Sequence, residues 1–144
     1  MSKRKKIRNI QKKKTDSFPK QIEKLTQGLF YISETDAEIF PFIGSKTDAL
    51  TKETILIQTN NKADMPVEER DFQEFFAHLT EIQDWFGVEE KQFAKKFAAL
   101  KNLLEKKLKN LHVFKLGSIE LDIYVVGLNE DGILMGIRTK AVET

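Results

Sequence analysis

The sequence predicts a single α+β domain: helices packed on a small, mainly antiparallel sheet that ends in a C-terminal β-hairpin. Three observations carry this. From Val88 to about Asn110, Phe93, Phe97, Leu100, Leu104 and Leu108 step by three and four, while Lys95, Lys96, Lys101, Lys106 and Lys107 fall mostly elsewhere. This is the pattern of a long amphipathic helix. In Ser118–Val126, Ile119, Leu121, Ile123 and Val125 alternate with Glu120, Asp122 and Tyr124, the period of a strand with one core face and one wet face. The helical segments come mostly first and the strands last, an order that argues α+β. A chain of 144 residues fits one domain and buries about two-thirds of the surface its unfolded form exposes.

Along the chain, Ser2–Lys14 is too charged and too poor in apolar groups to offset its ordering entropy. Residues 1–15 are therefore read as a basic disordered extension and 16–144 as the folded domain. Asp16 or Ser17 caps a first helix that carries Pro19 in its first turn, sets Phe18, Ile22, Leu25 and Leu29 on one side and ends at Gly28. Phe30–Ile32 leads into a polar loop, Ser33–Glu38. Ile39–Ile43 is a short edge strand, because Pro41 cannot donate to a ladder. Thr47 or Asp48 caps a short helix that runs to about Thr59, although Ile55-Leu56-Ile57 reads equally as a strand. Asn60–Pro66 is a loop, and Val67–Thr80 reads as a helix through Phe72, Phe75, Phe76 and Leu79. The hairpin comprises Gly117–Gly127 and Gly132–Lys140, joined by Asn129-Glu130-Asp131-Gly132, of which Asn, Asp and Gly tolerate positive φ.

The net charge of +2 hides two opposite regions. Residues 1–20 hold nine Lys or Arg and one Asp, giving +8, and the remaining 15 basic and 21 acidic residues give −6. The sequence has no cysteine, which excludes a disulfide framework, a cysteine zinc site and a thiol nucleophile. The first twenty residues lack an apolar core of the kind a secretory signal needs. No stretch approaches the roughly 18 consecutive apolar residues of a membrane span. The expectation is a cytoplasmic protein that does not engage membranes.

Enzyme chemistry has little material here. His78 and His112 stand apart, and the sequence lacks HExxH, a glycine-rich phosphate loop and GxSxG. Both histidines read as packing or surface residues, and the chain is expected not to be an enzyme. The basic tail supports a nucleic-acid-associated module, since each lysine on a phosphate releases counterions, but without interleaved aromatics the contact is weak and nonspecific. Asp84-Trp85 connects two predicted helices, and the lone tryptophan reads either as a core plug or as an interface anchor. Glu34 sits in the acidic loop, where a solvated turn is the ordinary reading. Thr144 follows the tethering hairpin; its position alone reads as a mobile terminus, and the other reading is a rigidly carried carboxylate suited to another protein's metal site.

Four blocks resemble the nuclease A inhibitor (NuiA-like) family: Gly28–Glu34, Gln83–Phe86, Leu116–Gly127 and Gly136–Thr144. The resemblance covers most of residues 16–144 and implies a three-layer α-β-α sandwich. The implied activity is inhibition of a sugar-nonspecific DNA/RNA nuclease of the ββα-metal type. By the family's pattern, Thr144 reaches the nuclease's Mg2+, Glu34 imitates the scissile phosphate, and Asp84 with Trp85 forms a second contact. No cofactor of the chain's own is implied. The lysine-rich extension lies outside the family's pattern.

Overall fold

The structure, a computed structural model, describes residues 17–144. The basic extension over residues 1–15, and Asp16 as a cap, lie outside the described residues. Helix α1 (Phe18–Thr26) is capped by Ser17, whose hydroxyl accepts from Lys20 N at 3.4 Å, with Pro19 in the first turn as expected. Gly28, at φ +72°, turns the chain out of the helix, a conformation that side chains resist.

Two short strands follow, β1 (Phe30–Ile32) and β2 (Asp36–Glu38), paired as an antiparallel hairpin. The expected polar loop is thus only Ser33–Thr35. It closes with Ser33 N donating to Thr35 O at 2.9 Å and Thr35 N donating to the Ser33 hydroxyl at 3.4 Å. Strand β3 (Phe40–Lys46) extends the predicted strand and lies at a sheet edge, where Pro41 is tolerated. The ambiguous segment is helix α2 (Lys52–Gln58), capped by Thr51 rather than Thr47 or Asp48. The Thr51 hydroxyl accepts from Thr54 N at 3.1 Å, whereas the Thr47 hydroxyl donates locally to Ala49 O.

The predicted helix from Val67 begins five residues late. Val67–Arg70 is strand β4, paired with Val113–Leu116, and α3 spans Phe72–Thr80. Asp71 sets the boundary: its carboxylate accepts from Glu74 N at 3.0 Å, the signature of an N-cap. Helix α4 (Val88–Lys107) matches the long amphipathic pattern, with Ala94, Phe97, Leu100 and Leu104 buried. It stops short of Asn110 because strand β5 (Lys109–Gly117) begins there, with Asn110 at φ +59° inside a register shift. The hairpin strands are β6 (Glu120–Leu128) and β7 (Ile133–Val142).

The five-stranded antiparallel sheet has the order β3-β7-β6-β5-β4. Both of its faces are covered. Val113, Leu121, Ile123, Val125, Ile137 and Ala141 join one cluster with residues of α1, α3 and α4, while Phe114, Leu116, Val126 and Leu134 join another with Ile55 and Leu56 of α2. This is a three-layer α-β-α sandwich. The face of β6 expected to be wet is therefore wet only near Glu120 and Asp122, because Val126 is fully buried beneath α2 and Tyr124 is half-buried there. No described helix is long and apolar enough to cross a membrane.

Gly136 sits where β7 crosses β6, opposite Val126, and a Cβ there would meet Val125 O at 1.9 Å. Gly136→Ala should therefore cost at least ~2 kcal/mol through backbone displacement. Urea denaturation checks this, and a midpoint equal to that of the parent protein would show that the sheet gives way at no cost.

Candidate functional site: the terminal junction

Strand β7 pairs with β3 only from Ile133 to Arg138, so its ladder positions on that edge are open from Thr139 onward. Buried or partly buried backbone groups need partners, and the β1–β2 hairpin supplies them. Thr139 Oγ1 donates to Glu38 O at 2.8 Å, Glu34 N donates to Val142 O at 3.2 Å, and Val142 N donates to Ser33 Oγ at 3.0 Å. The hairpin turn therefore lies directly against the end of β7.

This docking brings Glu34 and Thr144 together across 110 positions of sequence. Thr144 N donates to Glu34 Oε2 at 2.5 Å, and Thr144 Oγ1 donates to Glu34 Oε1 at 2.7 Å. Both residues are exposed. The Thr144 hydroxyl spends its proton on Glu34, so its oxygen lone pairs remain available to a Lewis acid. The two hydrogen bonds from Thr144 hold the Glu34 carboxyl below its ordinary value of 4.5.

The neighbouring residue, Glu143, is anchored twice. Its N–H donates to Ile119 O at 3.0 Å, and its carboxylate accepts from Lys115 Nζ at 2.9 Å. Tyr31 lies on the same side, stacked on Phe75 of α3 at 5.6 Å between ring centroids. Burial pushes the Tyr31 phenol up, and the Glu143 charge adds to the rise.

Asp84 and Trp85 are not part of this junction. They occupy the connection between α3 and α4, where the Trp85 ring meets Phe86 edge-to-face at 4.7 Å. Trp85 is 73% exposed, which removes the core-plug reading. Ile82 and Val88, on either side in sequence, are exposed as well. Of the two histidines, His78 is exposed on α3, and His112 contacts Glu69 Oε1 at 3.0 Å and Asn110 Oδ1 at 3.1 Å. Both hold the packing or surface positions expected of them. Among the described residues, no three His, Asp or Glu are grouped to hold a metal ion. A hollow of about 740 Å³ between α1 and the start of β3, lined by Lys20, Glu23, Phe30 and Phe40, contains none of these residues.

A family model for nuclease A inhibitor-like proteins matches residues 16–144. The chain belongs to that family. No curated protein matches it. Within this nuclease A inhibitor-like chain, Ser33 and Lys115 are contributors to the junction that sequence reasoning missed. Ser33 precedes Glu34 in the matched block, a hint in hindsight. Lys115 gives no local signal, since its partner lies 28 residues away.

A folded-state pKa below the unfolded one makes the Glu34–Thr144 contact favourable above the unfolded value, and the contact is lost as pH falls through the lowered one. The Glu34 side-chain carboxyl 13C resonance should therefore titrate with a midpoint below 4.5, and deleting Thr144 should bring that midpoint back toward the ordinary value. A midpoint at or above the ordinary value would mean that the contact does not form in solution.

Proposed function

We propose that this protein inhibits a sugar-nonspecific DNA/RNA endonuclease of the ββα-metal type by filling its active site, and that it performs no catalysis itself. The observation that supports this reading most directly is the joining of Glu34 to Thr144 at one exposed point. A carboxylate and an oxygen ligand side by side are the two features a phosphate diester presents to a nuclease: negative charge and an oxygen for the metal.

The Mg2+ belongs to the nuclease, and as a hard cation with few protein ligands it accepts one further oxygen in place of substrate. Thr144 supplies that oxygen. Glu34 takes the position of the scissile phosphate and pairs with a cationic group of the cleft. Asp84 and Trp85 form the second contact; an exposed tryptophan on a connecting segment is the type of residue that anchors interfaces. The −6 charge of residues 21–144 steers the protein toward a cleft built for nucleic acid and speeds encounter at low salt. The cytoplasmic setting expected from the sequence belongs to the same proposal.

The test is titration into a Mg2+-dependent nonspecific nuclease with digestion followed in real time. Deleting Thr144, or appending residues after it, should raise Kd by roughly a hundredfold, the scale of a hot-spot loss, while the melting temperature barely moves. Unchanged potency would sink the reading. Trp85→Ala should weaken inhibition about tenfold or more with little change in melting temperature, because the ring is exposed. Removing residues 1–14 should leave inhibition intact. If instead that removal abolishes a salt-sensitive retention on DNA and the parent chain inhibits nothing, the protein is a nucleic-acid-associated module led by its basic tail.

A further inference from the structure

We infer that Lys115 is a positioning residue for Thr144, acting through Glu143. The inference rests on the inhibitor reading above and adds to it a residue that need not touch the nuclease. Regular pairing of β7 ends at Val142, opposite Glu120. Beyond that point one backbone bond continues, from Glu143 N to Ile119 O at 3.0 Å, and side chains supply the other tethers. Glu34 of the hairpin turn grips Thr144 itself, and Lys115 of β5 grips the carboxylate one residue before it.

The Lys115–Glu143 pair differs from an ordinary surface ion pair, in which two mobile side chains gain little by meeting. The Lys115 side chain is 13% exposed, against 43% for Glu143. The lysine side chain is thus largely covered and has little freedom left to lose. Lys115 also lies inside the sheet, paired with Glu68 on one side and Ile123 on the other, so its backbone is fixed by two ladders. An arm on a rigid base therefore acts with the Ile119 and Glu34 bonds to set the path of residues 143 and 144. When that arm is removed, Glu143 keeps only its backbone bond, and the freedom that residues 143 and 144 gain is subtracted from affinity.

The experiment is a double-mutant cycle on Kd for the Mg2+-dependent nuclease, with parent, Lys115→Met, Thr144-deleted and doubly altered chains. Lys115→Met should raise Kd about tenfold, the scale of ordering one residue, and Lys115→Arg should restore most of it. In the chain lacking Thr144, Lys115→Met should cause no further loss. In the free protein, 15N relaxation should show the Thr144 order parameter dropping below ~0.6 in Lys115→Met, and likewise in Glu143→Gln, which leaves the sheet interior untouched if the lysine variant folds poorly. An equal loss of affinity with and without Thr144 overturns the inference, as does an unchanged Thr144 order parameter. Loss of potency on deleting Thr144 without any effect of Lys115→Met sinks this inference alone. A parent chain that does not inhibit sinks the inhibitor reading, while the relaxation arm still decides whether Lys115 positions Thr144.

Discussion

The mismatch in length between β7 and its neighbour β3 governs how Glu34 comes to meet Thr144. β3 leaves β7 after Arg138, yet β7 continues to Val142. The open edge must find hydrogen-bond partners, and the β1–β2 hairpin is recruited to provide them. The position of Glu34 follows from that requirement. A longer β3 would occupy the same edge, and the hairpin turn would have no reason to approach Thr144.

The rest of the sandwich makes this arrangement stiff. β7 and β6 are interior strands, covered on one face by α1, α3 and α4 and on the other by α2. Two-sided burial explains why the stretch Leu134–Ile137 is continuously buried rather than alternating. Phenylalanine does much of the work between layers: Phe72 and Phe76 meet at 4.9 Å on α3, and Phe75 reaches Tyr31. The last pair ties the hairpin that carries Glu34 to the helix leading toward Trp85. The two exposed contacts of the proposed interface thus share one helix as a common mount.

Much of this was legible in the residues. The 3.6-residue period of α4, the alternation in β6, the glycine turn before β7 and the edge placement of Pro41 each have a local cause, and local causes can be read without a fold. The errors came where pairing partners are distant. Val67–Arg70 has a helical neighbour but pairs with β5, and the Asp71-x-x-Glu74 cap was the available sign of the boundary. Asp36–Glu38 looks like a polar loop and becomes a strand because Phe30–Ile32 lies opposite. The site divided in the same way. Glu34, Asp84, Trp85 and Thr144 were reached through resemblance, whereas the bond between the first and last of them, and the roles of Ser33 and Lys115, depend on contacts spanning 28 to 110 residues. No periodicity encodes such contacts.

β7, the final strand, is not an edge strand but lies between β3 and β6. Synthesis proceeds from the N-terminus, so β3 and β6 both precede the strand that lies between them and cannot complete their pairing until it follows. A chain cut short before Ile133 would therefore leave β3 without its ladder and would lack the residues that meet Glu34.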